Sequence, residues 1–140
     1  MALSAGKLEV GQTFFAVVVE DLKRTQIVQY AGASGDYNPL HTDEVFATQA
    51  AGYPSVFAHG MLTMGMTGHM VTDLVGDGRL TEFGGRFTSQ VYPGDDLTTT
   101  ARVEAIGEAA GEAVVELSLS TVNQSGAEVF SGHATARLDP

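Results

Sequence analysis

Asp36 and His41 stand five residues apart in Gly35-Asp36-Tyr37-Asn38-Pro39-Leu40-His41. A carboxylate beside an imidazole is the minimum equipment for general acid–base chemistry near neutral pH. In a helix this spacing leaves the two side chains about 140° apart, and in a strand it puts them on opposite faces. Regular structure would therefore separate them. Pro39 excludes a helix interior, Asn38 before it is pushed toward extended backbone, and Gly35 can take positive φ, so the segment is predicted to be an irregular loop that turns both side chains toward one point. A capped turn with a solvated His41 would use the same residues, so this segment alone leaves both open.

Phe57-Ala58-His59-Gly60-Met61 runs directly into a long apolar stretch. The backbone N–H of Gly60 is thereby expected at a helix N-terminus, where free N–H groups and the helix dipole favour developing negative charge. Glycine also lets a ligand oxygen come close, although a packing or capping glycine would look the same. His59 precedes it and is placed to orient that loop. The other two histidines carry less: His69 reads as a polar position at a subunit contact, and His133, in the last strand, as structural or exposed. No HxH or HxxxH spacing occurs, and Asp43 and Glu44 fit a helix start, so no metal site is expected.

These groups need elements to hold them. Residues 14–20 read as a buried strand, 22–33 as a short helix and 43–50 as another, with Thr42 as its N-cap. In residues 60–76, Met61, Leu62, Met64, Met66, Met70, Val71, Leu74 and Val75 spread over most of a helical wheel, which predicts a central helix covered on nearly every side. Gly65 and Gly68 inside it each cost about 1 kcal/mol relative to Ala and demand closely approaching neighbours. Residues 79–92, 96–106, 113–123 and 128–138 read as strands, with hairpin chemistry at Pro93-Gly94-Asp95, Gly107 to Gly111 and Gln124-Ser125-Gly126. The expected fold class is α+β, an antiparallel sheet of five or more strands wrapped around one long helix.

A chain of 140 residues, 44% hydrophobic and 17% charged, fits a single globular domain over residues 1–140. The absence of cysteine excludes disulfides, thiolate zinc sites, iron–sulfur clusters and a cysteine nucleophile. A net charge of -10 argues against nucleic acid or an anionic membrane as partner. No apolar run approaches the roughly 18 residues of a membrane span, so a soluble, cytoplasmic protein is expected.

Tyr30 to His41 (YAGASGDYNPLH) resembles the hydratase-2 signature of the MaoC-like (R)-specific enoyl-CoA hydratases and dehydratases. His59-Gly60-Met61 resembles the start of that family's hot-dog helix, and Val91 to Asp95 its turn between later strands; the likeness runs from about residue 11 to 138 and is especially close to single-hot-dog (3R)-hydroxyacyl-ACP dehydratase subunits. The resemblance implies a hot-dog fold and hydration of trans-2-enoyl thioesters, or the reverse dehydration. It implies Asp36 and His41 as the catalytic pair, and Gly60, Asn38, His59 and Met61 as oxyanion and substrate-binding residues. It also implies no metal or cofactor, an acyl-CoA or acyl-ACP substrate, and a homodimer or hetero-oligomer of hot-dog subunits. A hot-dog acyl-CoA thioesterase, or the catalytic subunit of a heteromeric dehydratase, are the alternatives. An anionic carrier would have to be met by Lys7, Lys23, Arg24, Arg79, Arg86, Arg102 and Arg137, which would need to gather at the mouth of the site; Arg86 is the chosen carrier or subunit contact.

Overall fold

In the first strand, β1 (Thr13–Val19), half-buried Phe14, Ala16 and Val18 alternate with exposed Thr13, Phe15 and Val17, so one face of the strand meets the core. The same period runs through β3 (Leu97–Ala109), β4 (Glu112–Val122) and β5 (Glu128–Arg137), and β2 (Leu80–Phe87) completes the set. Residues 3–140 are described by this computed structural model. The strands form one antiparallel sheet in the order β1-β3-β4-β5-β2. Its concave face supplies Val103, Val115, Leu117, Leu119, Ala134 and Ala136, which pack on Met70, Val71 and Val75 of the long helix α2 (Gly60–Val75). This is the α+β hot-dog arrangement.

A second apolar cluster lies under the loops: Val19, Leu22, Ile27, Ala58, Val91, Leu97 and Val129. Ile27 belongs to α1 (Arg24–Ser34), which stops where Gly35 adopts φ 74° and donates its N–H to the Ala31 carbonyl. Between α1 and α2 the chain makes one helical turn that widens into a π-helical stretch, Phe46–Ala50. The cap of that turn is Asp43, whose Oδ1 accepts the Phe46 N–H at 3.1 Å, and not the expected Thr42. Asp43 lies one residue nearer the first helical position, where a carboxylate reaches the N–H three residues on.

Four further expectations change. The strand expected over residues 79–92 ends at Phe87, and Pro93-Gly94-Asp95 is not a hairpin, because β2 and β3 are not neighbours. That turn is pinned to residue 22 instead: Leu22 donates to the Asp95 carbonyl at 3.0 Å, Gly94 donates to the Leu22 carbonyl at 2.8 Å, and Asp95 Oδ2 accepts the Tyr92 N–H at 2.9 Å. The β3–β4 hairpin is tighter than expected, turning at Ala110 and Gly111, both with positive φ (52° and 81°), which suits the twist of the flanking strands.

The helix α2, finally, is not enclosed on every side. Met61 is 54% exposed, and Gly65, His69 and Asp73 continue that stripe at four-residue steps. Its opposite face buries Thr63 and Thr67 among the apolar residues. The Thr67 hydroxyl meets that of Thr121 on β4 at 2.7 Å, which in turn meets that of Thr99 on β3 at 2.7 Å, a buried chain tying helix to sheet. Along the exposed stripe, α2 and β1 border a groove of about 970 Å³.

Candidate active site

The loop after α1 is built by side chains that bond to backbone two residues on. Ser34 Oγ accepts the Asp36 N–H at 3.1 Å, Asp36 Oδ1 accepts the Asn38 N–H at 3.2 Å, and Asn38 Oδ1 accepts the Leu40 N–H at 3.0 Å. The Asn38 carbonyl then accepts the His41 N–H at 3.0 Å. Asn38 thus shapes the turn that folds His41 back toward Asp36.

Residues 56–59 hold that loop from the other side. Phe57 donates its N–H to the Leu40 carbonyl at 3.3 Å, and His41 Nδ1 donates to the Phe57 carbonyl at 2.7 Å. His59 Nε2 donates to the Asp36 carbonyl at 3.0 Å, and Ala58 anchors the segment by donating to Val91 at 2.7 Å. Upstream, Glu44 Oε2 accepts both Arg24 at 2.6 Å and the Val56 N–H at 3.3 Å. The Arg24 guanidinium, with the Val56 N–H, holds the Glu44 carboxyl below its ordinary value of 4.5. Around Phe57, Tyr53 and Tyr92 pack with ring centroids at 4.7 and 6.3 Å, and burial pushes the Tyr92 hydroxyl above its ordinary value.

A carbonyl oxygen has no proton to give, so His41 must carry its hydrogen on Nδ1, leaving the Nε2 lone pair free. That nitrogen lies 4.0 Å from Asp36 Oδ2, too far for a direct hydrogen bond and close enough for one oxygen to touch both. The His41 side chain is 11% exposed and that of Asp36 53%, so the pair has one protected and one open side. His59 stacks on His41 with centroids 3.8 Å apart, and Phe57 meets the His41 ring edge-on at 5.3 Å.

Gly60 opens α2, so its N–H has no acceptor within the helix. A Cβ at this position would fall 2.8–2.9 Å from the ring of Phe87, the last residue of β2. Gly60, Phe57, Thr63 and residues 87–91 line a second cavity of about 290 Å³. Met61, in contrast, points out along the exposed stripe of α2 and lines neither cavity. His69 is likewise exposed, 3.8 Å from Asp73, and His133 bonds Glu82 at 2.9 Å on the surface.

Asp36, His41 and His59 bring three potential metal-ligand atoms within 4.8 Å of one another. The two imidazoles are nearly parallel, at 24°, so their in-plane lone pairs run alongside each other, whereas a bound ion needs them to converge. The cluster fits a proton-handling pair better than a metal cage.

Five of the seven basic residues that an anionic carrier would have to meet are held in ion pairs. Lys23, Arg24, Arg79, Arg102 and Arg137 pair separately with Asp21, Glu44, Asp139, Glu104 and Glu112. Among the described residues Arg86 and Lys7 have no carboxylate partner within 4.0 Å, and Arg86 adjoins Phe87 at the smaller cavity.

Residues 7–124 match the family model described as a MaoC like domain. The chain belongs to the MaoC-like family. This MaoC-like protein is 31% identical over 140 residues to the (R)-specific enoyl-CoA hydratase of Aeromonas caviae, covering 97% of this chain and 99% of that one. It is 45% identical over 69 residues to 3-hydroxyacyl-thioester dehydratase Y of Mycobacterium tuberculosis, covering 47% of this chain and 24% of the relative. The match therefore spans about a quarter of that dehydratase's length. Among solved structures, the A. caviae (R)-hydratase superposes with a TM-score of 0.83 at 28% identity, covering 96% of this chain and 99% of that one. The R-hydratase PhaJ1 of Pseudomonas aeruginosa also gives 0.83 at 28%, covering 99% and 86%.

Phe57, Glu44 and Phe87 are not legible as site residues in the sequence. Phe57 acts through its backbone carbonyl, which any residue type supplies. Phe87 reaches Gly60 only because β2 ends beside the start of α2, and nothing in the local sequence marks that approach.

Proposed function

We propose that this protein adds water to trans-2-enoyl thioesters to form (R)-3-hydroxyacyl thioesters, and catalyses the reverse dehydration. The observation that supports this most strongly is the 4.0 Å gap between Asp36 Oδ2 and a His41 Nε2 whose lone pair is kept free by the Nδ1–H bond to Phe57. A water held by both groups loses one proton to the pair as its oxygen bonds to C3 of the enoyl chain. The C2–C3 π electrons move toward the thioester carbonyl, and the oxygen that gains charge accepts the Gly60 N–H at the start of α2. The pair then returns a proton to C2, so one water is consumed and nothing is oxidised or reduced. In dehydration every arrow reverses. Asn38 builds the loop, and the cavity beside Gly60, to which Phe57, Phe87 and Val91 contribute the apolar share, receives the acyl chain. The (R) sense rests on the end-to-end likeness to the A. caviae hydratase.

The substrate carrier, CoA or acyl-carrier protein, belongs to the same proposal, as does a cytoplasmic assembly of two or more hot-dog subunits. Both sheet edges are open here, and Phe15 on β1 (78% exposed) and Phe87 on β2 (50%) offer apolar surface beside them. The decisive test follows loss of conjugated enoyl-thioester absorbance with Asp36→Asn and His41→Gln. Each is expected to lower kcat at least 10³-fold with an unchanged circular dichroism spectrum. Turnover near that of the unaltered protein in either variant overturns the assignment. Release of free thiol from a saturated acyl-CoA would point to a thioesterase instead.

A further inference from the structure

His59 touches both members of the pair, and with different parts of its ring. Its Nε2–H donates to the Asp36 carbonyl at 3.0 Å, while its face lies on the His41 ring at 3.8 Å and 24°. Tyr30 closes the assembly, edge-on to His59 at 4.7 Å, and leaves His59 only 2% exposed. The remaining nitrogen, Nδ1, is buried without a hydrogen-bond partner. His59 stands at the N-cap of α2, yet its side chain makes no capping bond.

Stability does not account for this residue. An unpartnered buried polar atom destabilises the fold that holds it. A phenylalanine, a somewhat larger ring, would keep the stack on His41 and avoid that cost. What phenylalanine lacks is the N–H aimed at Asp36.

The two contacts supply what the pair otherwise misses. The Nδ1–H bond to Phe57 fixes His41 at one point, and rotation about that bond would swing Nε2 away from Asp36. A ring pressed flat against His41 blocks the rotation. Asp36 sits on a half-open loop whose other supports are the short side-chain bonds within residues 34–40. The bond from His59 ties its main chain to the first turn of α2, and so to the Gly60 N–H next in sequence. From this we infer that His59 is a positioning residue that sets the Asp36–His41 separation and its distance from the oxyanion donor. The inference rests on reading Asp36 and His41 as the acid–base pair.

Two substitutions separate the contacts. His59→Phe keeps the ring face and removes the N–H; His59→Gln keeps a donor near the Nε2 position and removes the face. Each is expected to lower kcat by about 10- to 100-fold, the scale on which small misplacements of reacting groups act, with KM shifted less than about threefold. The melting temperature of His59→Phe should change little, since the unpartnered Nδ1 is removed together with the one bond to the Asp36 carbonyl, so the fall in kcat would not follow from loss of the fold. In an Asp36→Asn background, His59→Phe should cost less than about threefold more, because there is no longer a carboxylate to position.

Unchanged kcat in His59→Phe overturns the inference. So does a rise in KM alone, or a full further loss in the Asp36→Asn background. Wild-type turnover by Asp36→Asn itself would instead sink the assignment of the pair, and the two failures are distinguishable. Should His59→Phe not fold, nitrogen-15 chemical shifts of the unaltered protein provide the check. The hydrogen of His59 is expected on Nε2 and that of His41 on Nδ1, and the opposite tautomer of His59 refutes the inference.

Discussion

Gly60→Ala should disable the site while leaving the fold nearly intact. The added methyl would lie 2.8–2.9 Å from three carbons of the Phe87 ring, where comfortable carbon contacts begin near 3.5 Å, so something must move by about 0.7 Å. Phe87 is 50% exposed at the end of an edge strand, and its ring yields more readily than the start of a helix packed on the sheet. Overpacking in a rigid core costs about 1–3 kcal/mol. Here the expected loss is about 1 kcal/mol or less, partly offset by the better helix propensity of alanine. Catalysis has no such slack. A methyl beside the proposed oxyanion donor, or a 0.7 Å shift of that donor, should remove much of an interaction worth about 3 kcal/mol, lowering kcat about 10²-fold. Urea denaturation and enoyl-thioester hydration, measured on one preparation, check both halves. Activity within twofold of the unaltered protein would show that the Gly60 N–H is not where charge develops. A full recovery in Gly60→Ala/Phe87→Ala would show that the ring's displacement, not the methyl at the donor, did the damage.

Thr121→Val removes the middle hydroxyl of the buried Thr67–Thr121–Thr99 chain and strands its two neighbours, so it should destabilise by about 2–4 kcal/mol in urea with an unchanged m-value. Replacing all three by valine should recover most of that loss, and a triple variant no better than the single one would refute the account. The Glu44 carboxyl is held below its ordinary value chiefly by Arg24 and then by the Val56 N–H, so its contribution to stability is present above the unfolded value and disappears as pH falls through the folded one. Glu44→Gln should therefore lower the urea midpoint at pH 7 and converge with the unaltered protein as the medium is acidified below about pH 4, a window set by the ordinary carboxylate range. A difference that persists undiminished in acid would contradict this.

Much of the fold is local and so was readable along the chain. The hairpins at Ala110–Gly111 and residues 123–126 and the stop of α1 at Gly35 each depend on residues within a few positions of one another, whereas β1, expected as a buried strand, leaves Phe15 and Val17 exposed on one face because none of the described residues covers that side of the sheet. The site loop is local as well, because Pro39, Asn38 and Asp36 impose its turns through contacts two residues apart. Strand neighbours are different. Pro93-Gly94-Asp95 has the chemistry of a hairpin, yet its bonds go to Leu22, and no local rule tells a turn which distant backbone will receive it. The apolar wheel of α2 misled for a related reason: hydrophobicity does not say which face the sheet covers, and the covered face includes Thr63 and Thr67 while Met61 lies outside.

By itself the sequence determined which groups could do chemistry: a carboxylate and an imidazole on a loop that cannot be helical, and a glycine opening a helix. Only the tertiary structure decided their protonation geometry and spacing. The His41 hydrogen sits on Nδ1 because a carbonyl 16 residues away, at Phe57, has no proton to offer, and beside the 4.0 Å gap His59, 23 residues beyond Asp36, bonds the Asp36 carbonyl and stacks on the His41 ring. Backbone carbonyls and stacked faces belong to every residue of their kind, so their use is written in the packing and not in residue identity.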